Sequence, residues 1–254
     1  MNMSVKQVDT RLVAYLPETR RSDMAIIIFP GGGYTCRAEH EGEGYATVFN
    51  EWGITAFVSQ YRVSPDLFPA PLEDARNAVR HVRAHAEEYG IDPQKIVVIG
   101  SSAGGHLAAL LCTYTAALEG ETDTFAEFCP NAQVLCYPVI CSPQSVGISH
   151  VGSYQYLLGT RDKEYCLAYD PALLVNEQTP PAFIWHTAED AGVNVINSYT
   201  YATALKKCDI PTELHVFPHG WHGLGMRDDY PHVRQWVSLL KKWLQYMNFL
   251  EKTV

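Results

Sequence analysis

Seven short runs rich in branched or continuously apolar residues recur along the chain, at 12–16, 24–29, 54–60, 95–99, 133–137, 182–187 and 213–217. Helix-patterned stretches of 14 to 20 residues fill several of the intervals, at 71–89, 103–118, 195–208 and 230–249. Strands that are apolar on both faces must be covered on both faces, and strand–helix alternation of this length favours parallel pairing through helical crossovers. The pattern predicts an α/β fold: a mostly parallel, twisted sheet flanked by helices on both faces. Within 71–89, Leu72, Ala75, Ala78, Val79, Val82 and Ala86 share one face, and Gly90 stands where a C-terminal cap belongs. One stretch breaks the rhythm. Residues 141–181 carry Gly, Ser, Tyr and Pro with only short helical hints, and are expected to cover one end of the sheet as an insertion into a single domain spanning 1–254.

A chain of 254 residues can build such a core without disulfides or metal. Its 19 basic and 28 acidic side chains give a net charge of −9, with no Lys/Arg run, which excludes a protein living on phosphate contacts. Its apolar runs are far shorter than the roughly 20 residues a membrane-spanning helix requires. The polar start at 1–9 has no secretory pattern, and Arg20-Arg21 reads as a turn before a strand. The seven cysteines are odd in number, irregularly spaced and without a C-x-x-C, so reduced thiols and a cytoplasmic location are expected, with neither a disulfide framework nor a zinc site.

Chemistry enters at Gly100-Ser101-Ser102-Ala103-Gly104-Gly105, a G-x-S-x-G pattern centred on Ser102 and set between a strand and a helix. That context is what the motif needs: a tight strand-to-helix turn lifts the serine oxygen clear of the sheet, and the helix N-terminus favours developing negative charge. Ser101 has the wrong spacing and is expected to face inward.

The run 24–29 ends in Pro30-Gly31-Gly32-Gly33-Tyr34. Consecutive glycines let backbone N–H groups reach a cavity unobstructed, as a tetrahedral oxyanion requires, and one such donor is worth about 3 kcal/mol of barrier. A phosphate loop is the poorer reading, because there is no G-x-G-x-x-G, no G-K-[ST], and no helix evident directly after it.

Further along, Glu189-Asp190 follows one strand, and Pro218-His219-Gly220-Trp221-His222-Gly223 follows the next. The order Ser, acid, His suits this architecture, and ligands gather beyond the carboxyl ends of parallel strands. Asp190, which opens a D-x-x-V, is preferred to Glu189, and His222 to His219. The remaining histidines read as structural: His81 and His85 on a solvated helix face, His106 packing locally, and His186 as a buried neighbour of the acid loop.

These stretches resemble a known family. FPGGGY (29–34), FVSQYRV (57–63), PLEDARNAVRHVRAHAEEYGIDPQKI (71–96), IGSSAGGHLAALL (99–111), YLLG (156–159), PPAFIWHTAEDAGVNVINS (180–198) and FPHGWHGLG (217–225) are similar to the α/β-hydrolase superfamily. Within it, they resemble the small bacterial acetyl esterases and acetylxylan-esterase-like serine hydrolases. The resemblance implies Ser102 as nucleophile, Asp190 as acid and His222 as base, with oxyanion donors at Gly32, Gly33 and Ala103. It departs at Pro30, where better-known esterases of this shape carry histidine, and at Asn194, where relatives often have proline.

The function expected is a serine carboxylester hydrolase working through an acyl-enzyme on short, acetyl esters of sugars or xylo-oligosaccharides. The expected partner is that small ester alone, with no cofactor, metal, nucleic acid or membrane. Tyr34, Trp221 and the 141–181 segment are expected to wall the pocket. Two alternatives stand beside it: an amide or peptide hydrolase on the same triad, and a ligand-binding protein that keeps the fold without turnover.

Overall fold

The computed structural model describes residues 3–251 apart from Val146. One eight-stranded sheet organises the described residues, in the order β1-β2-β4-β3-β5-β6-β7-β8. The strands are β1 (Ser4–Asp9), β2 (Leu12–Leu16), β3 (Ala25–Phe29), β4 (Thr55–Ser59), β5 (Ile96–Ser101), β6 (Ala132–Cys136), β7 (Ala182–Thr187) and β8 (Thr212–Phe217). β3 to β8 pair in parallel, whereas β1–β2 and β2–β4 are antiparallel.

Alternation along the strands divides the core in two. In β3, Ala25, Ile27 and Phe29 face one cluster, while Ile26 and Ile28 face the other. The first cluster is completed by α2 (Ala70–Ala84), α4 (Ala103–Thr113) and α9 (Ile196–Lys207), and the second by α1 (Glu39–Glu51) and α10 (Pro231–Tyr246). Both faces of the sheet are therefore sealed, which is why its central strands carry no polar face.

Three elements lie outside the sequence-based expectation: β1, α1 and the four-residue α5 (Phe125–Phe128). β1 lies in the polar start; among the described residues it is an exposed edge strand paired only with β2, so neither face needs an apolar stripe. α1 follows the glycine loop, where no helix was evident. Its Gly42 and Gly44 weaken any helical pattern, and Gly42 packs closely: a methyl there would meet Val58 Cγ1 at 3.2 Å and Pro30 Cγ at 3.3 Å. Some ends also shift. α4 stops at Thr113 rather than Leu118, and the helix expected to Tyr89 breaks after Ala84 and resumes as α3 (Ala86–Tyr89), capped by Gly90 in the left-handed conformation.

Residues 141–181 hold α6 (Val151–Leu158), α7 (Lys163–Leu167) and α8 (Pro171–Leu174), with α5 (Phe125–Phe128) lying before β6. The segment is pinned to the first cluster through Tyr154, Leu157, Cys166 and Tyr169. Asn197 of α9 holds its start, accepting the backbone N–H groups of Ile140 and Cys141 at 2.9 and 2.8 Å. Among the described residues no helix is long and apolar enough to cross a membrane.

Candidate active site

β5 runs through the middle of the sheet and ends at Ser101, and α4 begins at Ala103. Ser102 between them has φ 53° and ψ −118°, a conformation that costs a non-glycine residue of order 1–3 kcal/mol. The turn is held by the Ser102 N–H donating to the Cys136 carbonyl at 2.9 Å and by the Val139 N–H donating to the Ser102 carbonyl at 3.0 Å. Gly104 makes it sterically possible, since a methyl there would lie 2.0 Å from the Phe29 carbonyl oxygen. The helix start is thus pressed against the end of β3, where the glycine loop begins. Ser101 faces inward, its hydroxyl 3.0 Å from Tyr45 Oη.

The imidazole and the carboxylate arrive from β8 and β7. His222 Nε2 lies 2.8 Å from Ser102 Oγ, and His222 Nδ1 lies 2.7 Å from Asp190 Oδ2. Because Nδ1 faces a carboxylate it carries the proton, leaving Nε2 to accept from the serine hydroxyl. Asp190 is buried and fully engaged: the N–H groups of Gly192 and Val193 both donate to Oδ1 at 2.8 Å, and His186 Nε2 stands 3.3 Å from Oδ2. Burial pushes its carboxyl up, but the hydrogen bonds from His186 and His222, the imidazole charge and the Val193 N–H outweigh that and hold it well below the usual carboxylate range. The alternative residues find each other instead. His219 Nδ1 meets Glu189 Oε1 at 2.7 Å on an exposed rim.

The glycine loop closes the site from the other side. The Gly31 N–H is taken by Glu41 Oε2 at 2.7 Å. Among the described residues the N–H groups of Gly32 and Gly33 donate to no protein acceptor, and Ala103, as the first residue of α4, lies where no carbonyl four residues back can reach it. Gly32 adopts φ 130°, and a methyl there would lie 2.3 Å from the Cys36 carbonyl oxygen, so the loop turns as it does only with glycine.

The two expected wall residues part company. Tyr34 is 1% exposed: the left-handed turn at Gly33 and Tyr34 sends its ring into the core, where its hydroxyl donates to His106 Nδ1 at 2.8 Å. It secures the loop and presents no surface. Trp221 is 49% exposed beside His222, edge-on to Tyr230 at 4.5 Å between ring centroids. His106 packs locally as expected, its Nε2 reaching the Tyr169 carbonyl at 3.0 Å, and burial pushes its pKa down to about 4 despite that bond.

Three residues near the site escaped sequence reasoning. Glu41 lies in the unrecognised α1, and Tyr137, edge-on to the His222 ring at 5.1 Å, looked like the end of a strand. His150 caps α6 through Nδ1, and burial together with the charge of His222 pushes its pKa down, while Asp190 opposes the shift. The one available signal was an acid soon after the glycine run. No group of three His, Cys, Asp or Glu residues among the described residues is placed to hold a metal ion.

The chain matches the BD-FAE family over residues 12–205. It is 44% identical to the acetyl ester-xyloside bifunctional hydrolase from Caldicellulosiruptor lactoaceticus, with a TM-score of 0.86 over 94% of this chain and 88% of that one. It is 37% identical over 225 residues, 86% of its length, to endo-1,4-beta-xylanase B of Butyrivibrio fibrisolvens. It is also 32% identical over 241 residues, 92% of its length, to an acetylxylan esterase of Xylanibacter ruminicola. The chain spans 35% and 48% of those two relatives. Fold and likeness together place it in the α/β-hydrolase superfamily, among structural neighbours named as esterases. Within that superfamily it belongs to the BD-FAE family.

Proposed function

We propose that this chain removes short acyl groups, acetyl above all, from esterified sugars such as xylo-oligosaccharides, through an acyl-enzyme formed on Ser102. The observation that carries the reading is the two-bond relay from Ser102 Oγ through His222 to Asp190, at 2.8 and 2.7 Å. Ser102 Oγ attacks the ester carbonyl as its proton passes to His222 Nε2. The oxyanion is held by the N–H groups of Gly32, Gly33 and Ala103, and Asp190 stabilises the imidazolium. His222 then gives the proton to the departing sugar hydroxyl. Water, deprotonated by the same nitrogen, attacks the acyl carbonyl, the Ser102 ester bond breaks, and acetate leaves.

The sugar assignment draws on relatives named for acetylxylan and acetyl ester-xyloside hydrolysis, and on Trp221, whose exposed ring suits the apolar face of a pyranose. Residues 141–181 serve as the cover under which the substrate enters, within a single hydrolase domain. Seven unpaired thiols fit a cytoplasmic setting, in which the substrate is an oligosaccharide already taken up by the cell.

Acetate release from a panel of acetylated xylo-oligosaccharides, run beside formyl amides and dipeptides, tests the assignment. Release from the sugars is expected. Activity confined to the amides would overturn it.

A further inference from the structure

We propose that Glu41 is a positioning residue that binds the oxyanion loop and the His222 loop into one frame, a role that rests on the ester-hydrolase reading above. Glu41 is the third residue of α1 and its carboxylate is buried. Its side chain does not cap its own helix. Oε2 accepts the Gly31 N–H at 2.7 Å, and Oε1 accepts the Tyr137 hydroxyl at 2.5 Å. The Tyr137 hydroxyl in turn accepts the N–H of Gly225, three residues beyond His222, at 3.0 Å. The Tyr137 ring lies edge-on to the His222 imidazole, 5.1 Å between centroids and 71° between planes. One carboxylate therefore fixes both the loop that would hold the oxyanion and the ring that backs the base.

It also stands close behind the nucleophile. A methyl built on Gly31 would meet Glu41 Oε2 at 2.6 Å, the Ser101 carbonyl oxygen at 2.9 Å and Ser102 Cβ at 3.1 Å, so the carboxylate and the serine both border the space that Gly31 leaves open. By occupying the Gly31 N–H, Glu41 leaves the oxyanion to the next two amides and holds the peptide that precedes them. Its neighbour His40 repeats the theme, with Nε2 at 3.0 Å from the Gly223 carbonyl. The first turn of α1 thus grips both loops at once. Burying a carboxylate opposes folding, and its nearest basic group is His40 Nε2 at 3.9 Å. A neutral acceptor would satisfy Gly31 equally, so stability alone does not account for an acid here.

The test compares wild type, S102A, E41A, E41Q and Y137F in p-nitrophenyl acetate turnover and in inhibition by an alkyl boronic acid, whose serine adduct places a charged oxygen in the oxyanion position. E41A is expected to lose about 100-fold in kcat with KM changed less than about threefold, and to lose boronate affinity by a matching factor. E41Q, which keeps a partner for both Gly31 and Tyr137, should recover kcat to within about tenfold of wild type, and Y137F should lose about tenfold. A kcat within about threefold of wild type in folded E41A, or a loss without weaker boronate binding, overturns the proposal. If E41A does not fold, an unchanged kcat in Y137F overturns it. Hydrolysis present in wild type, lost in S102A and untouched in the Glu41 and Tyr137 variants would sink this proposal alone. A wild type without Ser102-dependent hydrolysis would sink the ester-hydrolase reading with it.

Discussion

His186 Nε2 stands 3.3 Å from Asp190 Oδ2, the same oxygen that His222 Nδ1 holds at 2.7 Å. That nitrogen also faces the Val193 carbonyl at 2.9 Å, so it must carry a proton, while Nδ1 meets the Ser198 hydroxyl at 2.8 Å. Asp190 is thereby clamped by two imidazoles and two amides. H186F removes one donor from a buried carboxylate while keeping the volume of an aromatic ring. We expect kcat on p-nitrophenyl acetate to fall about tenfold with little change in KM, and stability to drop by about 1–3 kcal/mol. Steady-state kinetics and a urea midpoint check both, and an unchanged kcat would remove His186 from the relay.

His106 makes stability pH-dependent. Burial lowers its pKa from 6.5 to about 4, so the fold keeps it neutral while the unfolded chain protonates it in that interval. Its contribution is fully present above the unfolded value and is lost as pH falls toward about 4. Over that window this one group should remove about 3 kcal/mol of unfolding free energy, and H106Q should flatten the slope although it is less stable at neutral pH. Urea titrations from pH 7 to about 4 measure this. Equal slopes in the two proteins would contradict it.

Gly104 permits the approach of α4 to β3. A Cβ at this position would sit 2.0 Å from the Phe29 carbonyl oxygen and 2.5 Å from that of Pro30, both backbone atoms. G104A must therefore separate the Ser102 turn from the glycine loop. A loss of more than about 3 kcal/mol, or failure to fold, is expected from denaturant melts. Wild-type stability with wild-type activity would mean that the turn is looser than described.

Trp221 offers a test that separates sugar from acyl recognition. Its ring is half-exposed and carries none of the relay. W221A should raise KM about five- to tenfold on acetylated xylo-oligosaccharides and leave p-nitrophenyl acetate nearly unchanged. Equal effects on both substrates would place the ring at the acyl end instead.

Ser102, Asp190 and His222 could be picked out in sequence because each lies in the loop that follows a strand of a parallel sheet, where position brings them to one edge although Ser102 and His222 lie 120 positions apart. The apolar runs marked β3, β5, β6 and β7 because strands buried on both faces announce themselves, and the branched and aromatic residues of β2, β4 and the half-exposed edge strand β8 served there. What stayed hidden lacked such a pattern. β1 is an edge strand with polar faces, and α1 carries two glycines that propensity disfavours, of which Gly42 packs closely against Val58 and Pro30. Missing α1 concealed Glu41. Tyr34 looked like a wall because aromatic residues beside a glycine loop often are; the left-handed backbone that buries it is a property of the folded turn.

The turnover of S102A on p-nitrophenyl acetate, measured beside wild type, bears most directly on the central claim. A fall of at least about a thousandfold, in a protein with an unchanged urea midpoint, is predicted for a nucleophile whose attack the rest of the site serves. Hydrolysis by S102A within about tenfold of wild type would contradict it, and with it the acyl-enzyme route.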